Sequence, residues 1–117
     1  MNEKTIFQKI ADREIPATIV YEDDLCVAFK DLNAQAPIHI LIIPRKPSPR
    51  VGEATAEDQA ALGALLLAAG KIADQLGIKD RSKGFRLVIN NGADAGEAVP
   101  HLHVHLLAGR QMSWPPG

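Results

Sequence analysis

A strict alternation of histidine with apolar residues constrains this chain more than any other feature of its sequence. Residues 101–107 read His-Leu-His-Val-His-Leu-Leu. Alternate side chains of a β-strand lie on the same face, so the segment predicts a strand that presents His101, His103 and His105 together. The intervening aliphatic side chains would face a core. The pattern is typical of a half-buried strand beside a cleft.

The rest of the chain predicts an α+β domain with a five-stranded antiparallel sheet, one short helix and one long helix. Capping-box spacing at Thr5–Gln8 predicts a short helix near residues 5–12. The same spacing at Thr55–Asp58, followed by apolar residues at helical intervals as far as Leu76, predicts the long helix. Runs of strands with a helix between them favour antiparallel pairing. The predicted strands are Thr18–Tyr21, Cys26–Lys30, His39–Pro44, Phe85–Asn90 and His101–Leu107.

Length and composition exclude several classes of protein. The 117 residues fit a single domain, 1–117. Thirteen basic and fourteen acidic residues give a net charge of −1, which argues against a nucleic-acid partner. Apolar runs are too short to span a membrane, and Met1–Thr5 lacks the features of a secretory signal. The single cysteine, Cys26, cannot form an internal disulfide, so we expect a cytoplasmic protein.

The histidine segment leaves three interpretations open. It could be a solvated strand face, a metal site with His39 as a further ligand, or a catalytic centre in which imidazole acts as nucleophile and acid. No cysteine motif accompanies the histidines, and the pattern favours catalysis. The loop before the segment contains Gly92 and Gly96, which permit positive φ angles. Such a loop either binds a phosphate-like anion through its N–H groups or simply connects two strands.

The histidine segment resembles the signature of the histidine triad (HIT) family of nucleotide hydrolases and transferases. Further motifs resemble the Hint branch of that family, whose members are purine nucleoside phosphoramidases. The resemblance covers nearly the whole chain, and His105 stands where transferase-type members have glutamine. The motifs are Thr5-Ile-Phe-Gln-Lys-Ile, Glu14-Ile-Pro-Ala, Asp31-Leu-Asn-Ala-Gln-Ala-Pro-Ile-His39-Ile-Leu-Ile-Ile-Pro and Gly109-Arg-Gln-Met-Ser-Trp-Pro-Pro-Gly117.

The resemblance implies a role for each histidine. His103 would attack the α-phosphorus and form a nucleotidyl-histidine intermediate, with its other ring nitrogen held by the backbone carbonyl of His101. His105 would bind the phosphate and help to protonate the departing amine, and His39 would complete the network. Neither a metal nor a cofactor is needed, because imidazole and loop N–H groups can offset the phosphate charge.

The resemblance also implies a nucleotide site and a twofold homodimer whose sheets join. Asp31 would bind the ribose hydroxyls and Asn90 the phosphate side. Residues 108–117 form a tail whose Trp114 would reach the partner's active site. The apolar base pocket would comprise Ile6, Phe7, Ile10, Phe29 and Leu32, although these residues by themselves also suit a core. The phosphate loop would comprise Gly96, Glu97, Ala98 and Val99.

Two departures from the family pattern and two alternative functions accompany the resemblance. Glu97-Ala98 stands where similar eukaryotic proteins have Gln-Ser, and Pro100 replaces an aromatic residue. A carboxylate near a phosphate weakens binding unless it points outward or meets the substrate amine. The alternative functions are a dinucleoside polyphosphate hydrolase of another branch and a non-catalytic module that binds a nucleotide or a metal.

Overall fold

A computed structural model describes residues 3–117. Met1 and Asn2, which belong to the predicted domain 1–117 and to the segment Met1–Thr5, lie outside the described residues. The helices and strands are α1 (Ile6–Ala11), β1 (Ile19–Glu22), β2 (Cys26–Lys30), β3 (Ile38–Pro44), α2 (Gln59–Gln75), β4 (Arg86–Val88) and β5 (Val104–Ala108). Short 3-10 turns occupy Val51–Glu53, Ala56–Asp58 and Ala93–Ala95. No helix within 3–117 is long and apolar enough to cross a membrane.

The strands form one sheet in the order β1-β2-β3-β5-β4, and every neighbouring pair is antiparallel. The predicted α+β class, the five strands and the two helices of unequal length are therefore confirmed. β3 lies between β2 and β5, and its register places Leu41 opposite His105 and His39 opposite Leu107. This register brings histidines of two strands to the same part of the sheet.

Both helices begin at the predicted caps. The Thr5 hydroxyl accepts a hydrogen bond from the Gln8 N–H (3.0 Å), which satisfies an otherwise free donor at the start of α1. Thr55 and Asp58 form the reciprocal capping box, which opens a 3-10 turn that leads into α2. Gly77 follows the end of α2 with φ of 72°, in the left-handed region where glycine carries no steric penalty.

The two faces of the sheet pack against different helices. Alternate side chains of β2, β3 and β5 enter a cluster with α2, and their neighbours point to the opposite face, where α1 lies. The α2 cluster contains Cys26, Ala28, Ile40, Ile42, Leu65, Ala68, Ala69, Ile72, Ala73, Ile78, Leu102, Val104, Leu106 and Ala108. The α1 cluster contains Phe7, Ile10, Ala11, Val27, Phe29, Leu41 and Ile43.

The histidine segment is only partly a strand, which corrects the predicted limits. β5 begins at Val104 and not at His101. The backbone before it bonds elsewhere: the His101 N–H donates to the Val99 carbonyl (2.8 Å) and the Leu102 N–H to the Ser48 carbonyl (2.6 Å). These bonds replace sheet pairing for the first residues of the segment. β4 is also shorter than predicted, because only Arg86–Val88 pair with β5.

Candidate active site

His103 lies at the centre of the site, and one of its ring nitrogens is used in a hydrogen bond to the backbone. Its Nδ1 is 2.7 Å from the backbone oxygen of His101, and a carbonyl oxygen can only accept a hydrogen bond. Nδ1 therefore carries the proton, and Nε2 bears the lone pair. The ring packs edge-on against Phe7, with centroids 4.9 Å apart, and the residue is 7% exposed. This tautomer makes Nε2 available as a nucleophile.

The ring of His101 is fully enclosed and serves as a support. Its Nε2 faces the Pro44 carbonyl oxygen (3.3 Å), so the Thr5 hydroxyl donates to the remaining nitrogen, Nδ1 (2.8 Å). Burial lowers the pKa of His101 and keeps the ring neutral. Because both ring nitrogens are occupied, His101 acts on His103 through its backbone carbonyl.

His39 and His105 form a hydrogen-bonded pair beside His103. The backbone N–H of Gln35 donates to His39 Nδ1 (3.0 Å), so the neutral His39 ring carries its proton on Nε2. That nitrogen is 2.8 Å from His105 Nδ1, which must accept. The proton of His105 consequently lies on Nε2, which is buried and has no partner among residues 3–117. An unpaired buried donor costs folding free energy, so this N–H is suited to donate a hydrogen bond to an oxygen or nitrogen of a ligand.

Burial sets the charge of this pair in the free protein. Loss of solvent, together with the smaller effect of the neighbouring imidazoles of His103 and His39, lowers the pKa of His105 to about 4. Burial also lowers the pKa of His39, although Asp31 opposes the change. Both rings are therefore neutral near pH 7. A phosphate anion bound beside His105 would favour its protonated form.

Asp31 joins the histidine pair from the loop after β2. Its Oδ2 is 3.3 Å from His39 Nε2, while its Oδ1 accepts from the Asn33 N–H (2.8 Å). Possible ligand atoms of Asp31, His39 and His105 lie within 4.8 Å of one another, a set that suits an open metal site. The protonated His39 Nε2 would have to lose its proton to bind an ion. The sequence left open a metal site made of the histidine segment with His39. The structure does not form that site, because both ring nitrogens of His101 are occupied.

The loop of residues 90–100 runs beside the histidines. Gly92 and Gly96 have φ angles of 87° and 82°, as the sequence predicted. Both carboxylate oxygens of Glu97 are occupied within the protein, because they accept hydrogen bonds from Arg50 and from the Gly92 N–H. Asn90 is half-buried after β4, Ala98 is exposed, and Val99 packs against the α1 cluster.

The residues of the predicted base pocket divide into two groups. Phe7, Ile10 and Phe29 are buried, and the rings of Phe7 and Phe29 are 5.5 Å apart, so the alternative interpretation as core applies to them. Ile6 is 53% exposed and Leu32 is 100% exposed. These two side chains are the members of the set that remain free to touch a base.

Trp114 lies far from full burial. It is 81% exposed, and its ring is 5.9 Å from the Arg86 guanidinium in the same chain. The Arg86 side chain also donates to the backbone oxygen of Ser113 (2.9 Å). The C-terminal tail is thus held along β4, on the outer edge of the sheet.

Sequence reasoning missed three supports of the site. Thr5 was recognised as a helix cap but not as the partner of His101. Gln35 contributes a backbone N–H, and Arg50 contacts Glu97 over 47 positions of sequence. The cap spacing was the only local signal among them, because the other two contacts depend on how distant loops meet.

The comparisons with known proteins agree with this geometry. Residues 12–112 match the HIT domain family. The chain belongs to the HIT family.

An uncharacterized HIT-like protein of Synechocystis sp. is 63% identical over 117 residues, which cover all of both chains. The HIT family hydrolase of Legionella pneumophila is 45% identical with a TM-score of 0.92, covering 97% of this chain and 100% of that one. A histidine triad protein from Clostridium difficile is 41% identical with a TM-score of 0.89, covering 97% of each. The chain thus has the fold of HIT hydrolases, a family that binds nucleotides.

Proposed function

We propose that this HIT protein hydrolyses the P–N bond of purine nucleoside 5′-phosphoramidates and releases a nucleoside monophosphate and an amine. The hydrogen bond from His103 Nδ1 to the His101 carbonyl carries the proposal, because it leaves Nε2 unprotonated and fixes its direction. The resemblance to the Hint branch supports the choice of a P–N bond. The buried Nε2–H of His105, with no partner among residues 3–117, supports a phosphate bound alongside.

The reaction proceeds in two displacements at phosphorus. His103 Nε2 attacks phosphorus, and the P–N bond breaks. The departing nitrogen keeps the bonding electron pair and takes a proton from His105 Nε2. His105 is protonated only in the complex, where the phosphate charge opposes the effect of burial. Its Nδ1 then carries a proton as well, so the His39 Nε2–H donates to Asp31 Oδ2 in place of His105 Nδ1. Neutral His105 then accepts a proton from water, whose oxygen attacks phosphorus. The P–Nε2 bond breaks, and its electrons return to His103 as the lone pair.

The nucleotide lies between α1 and the loop after β2 in this proposal. Asp31 accepts hydrogen bonds from the ribose diol, a suitable match for an acceptor-only carboxylate. Leu32 and Ile6 provide exposed apolar surface for the base above the buried Phe7. The N–H groups of Gly96 and Glu97 donate to Ala93 and Gly92, so the phosphate would meet the N–H groups of Ala98 and Val99 and the amide of Asn90.

The nucleophile is tested with His103→Ala. We expect turnover of adenosine 5′-phosphoramidate to fall by at least about a thousandfold, while a purine monophosphate still binds. Unchanged turnover would reject His103 as the nucleophile. A crystal soaked with the monophosphate should place phosphorus within reach of His103 Nε2. Comparison of rates on the phosphoramidate and on a diadenosine polyphosphate separates the two hydrolase functions.

One observation favours a second candidate, a metal-binding module. The ligand atoms of Asp31, His39 and His105 are close enough to hold an ion. We expect full phosphoramidate turnover after exhaustive chelation, because the hydrogen-bonded form of this set leaves His39 Nε2 protonated. Zinc binding that is lost in Asp31→Asn, together with absent turnover, would favour the module.

We further propose that the enzyme is a twofold homodimer. β4 lies at the edge of the sheet, and the outer face of α2 exposes Leu66 and Leu67. Gly63 and Gly70 on the same helix have open space above them, which permits close approach of a second chain. Trp114 would then contact the partner's site. A sedimentation mass of one chain at micromolar concentration would contradict the dimer.

A further inference from the structure

Arg50 and Glu97 form a two-point ion pair between separate loops. Arg50 Nε is 2.9 Å from Glu97 Oε1, and Arg50 Nη2 is 3.0 Å from Oε2. This parallel geometry is the strong, directional form of an arginine–carboxylate contact. Arg50 also contacts Glu53. The Glu97 side chain is 12% exposed, so the pair is better shielded than an ordinary surface ion pair.

Glu97 closes its own loop as well. Its Oε1 accepts from the Gly92 N–H (2.9 Å), and its backbone N–H donates to the Gly92 carbonyl (3.1 Å). The carboxylate therefore fixes the six-residue turn 92–97, which contains Gly96. The pKa of Glu97 is lowered to about 2 by Arg50 and by the Gly92 N–H, so the group stays ionised.

The loop after β3 reaches the histidine segment at a second point. The Ser48 carbonyl accepts from the Leu102 N–H (2.6 Å), two positions along the chain from Arg50. Two residues after the turn fixed by Glu97, the Val99 carbonyl accepts a hydrogen bond from the His101 N–H. Movement of the turn would consequently be transmitted to the residue whose carbonyl orients His103.

We infer that Arg50 is a positioning residue, which acts through Glu97 to hold the 90–100 loop against the histidine segment. The inference rests on the proposed function only for its catalytic consequence. It accounts for a carboxylate beside a phosphate site: both oxygens of Glu97 are occupied by donors of the protein itself. A bound phosphate would then meet the N–H groups of Ala98 and Val99, and the charge of Glu97 is offset by Arg50.

A different role for Glu97 makes a contrary prediction. If Glu97 bound a cationic leaving amine, it would have to release Arg50 in the complex. Glu97→Gln would then reduce turnover selectively for substrates with a charged amine. As a support for the loop, Glu97 should affect substrates with charged and neutral amines equally.

The unliganded protein provides the deciding test by hydrogen exchange. Arg50→Lys keeps the charge and loses the two-point geometry. We expect exchange of the Gly92 and Glu97 amides to accelerate about tenfold in this variant. Glu53→Gln removes the other partner of Arg50, and Arg13→Lys alters an exposed ion pair with Glu22; both should exchange like wild type. Wild-type exchange in Arg50→Lys would overturn the inference.

Kinetics then measure the catalytic consequence. We expect Arg50→Lys and Glu97→Gln each to lower kcat about tenfold on phosphoramidates of charged and neutral amines alike. The double variant should lose little more than either single variant, because both changes break the same contact. Selective loss on the charged amine would assign Glu97 to the substrate instead. Wild-type protein without turnover would refute the proposed function, and the exchange result would still decide the role of Arg50.

Discussion

The two faces of the sheet differ in what they bury. The face under α2 is aliphatic, with Ile42, Ile72, Val104 and Leu106 at most 1% exposed. The face under α1 is aliphatic over β2 and β3, but it also borders His39, His101 and His103, which are the buried polar residues of the described chain. One face therefore supplies most of the apolar burial, and the other combines burial with chemistry.

The difference follows from the lengths of the helices. α2 has 17 residues and lies against the strands across the sheet, whereas α1 has six. The short helix leaves part of its face for the histidines and a ligand. Phe7 of α1 forms the boundary, because it packs on Phe29 and on His103. Substitutions on the face under α2 should therefore affect stability alone, whereas substitutions near Phe7 should affect both stability and reactivity.

Adjacent residues of β3 test this separation with the largest expected effect. Ile42 faces α2, and Leu41 faces α1 opposite His105. Each change to alanine should lower the free energy of unfolding by about 2–5 kcal/mol. Only Leu41→Ala should also lower kcat, by about tenfold, because it loosens the cluster that holds Phe7 against His103. Urea denaturation and steady-state kinetics measure both. Equal kcat in the two variants would break the comparison.

Protonation should destabilise the histidine face selectively. The pKa of His39, His101 and His105 is lower in the folded protein than the usual value near 6.5, for His105 about 4. The unfolded chain then binds protons first as the pH falls, so the free energy of unfolding is retained above about pH 6.5 and decreases toward pH 4. Denaturation curves at pH 7 and pH 5 should show the decrease. His105→Gln should reduce it; an unchanged decrease would contradict the assignment.

Thr5 allows its two contacts to be separated. Thr5→Asp keeps an acceptor for the Gln8 N–H but loses the hydroxyl that donates to His101. We expect kcat to fall about tenfold, roughly the loss of one buried hydrogen bond, with little change in KM. Thr5→Ser keeps both contacts and should have the kcat of the wild type. If the aspartate variant had wild-type kcat, the contact with His101 would matter only for stability.

Leu32 should give the smallest effect on stability. Because its side chain is fully exposed, Leu32→Ala should change the free energy of unfolding by less than about 0.5 kcal/mol. If Leu32 contacts the base, KM should rise several-fold, consistent with about 1 kcal/mol of lost apolar contact. Leu25→Ala, in the turn between β1 and β2, is the matched exposed control. A KM equal in both variants would remove Leu32 from the base site.

Local patterns predicted most of the fold and part of the site. Alternation and cap spacing are properties of neighbouring residues, so they identified the strands, Thr5 and Thr55. The limits of β5 were missed because Leu102 bonds to Ser48 and not to a strand. Phe7 and Phe29 could not be divided between core and pocket from the sequence, since both uses require an apolar side chain. The partner of Glu97 was likewise invisible, because it lies in a distant loop.

The pairing of β3 with β5 has a consequence for how the protein acquires its chemistry. A shift of one residue in this pairing would turn the histidines into the aliphatic interior and expose Val104 and Leu106 to water. Such a misaligned chain could not form a stable interior. The apolar interior and the alignment of the imidazoles therefore depend on the same register, so a chain that folds stably also has its histidines in place.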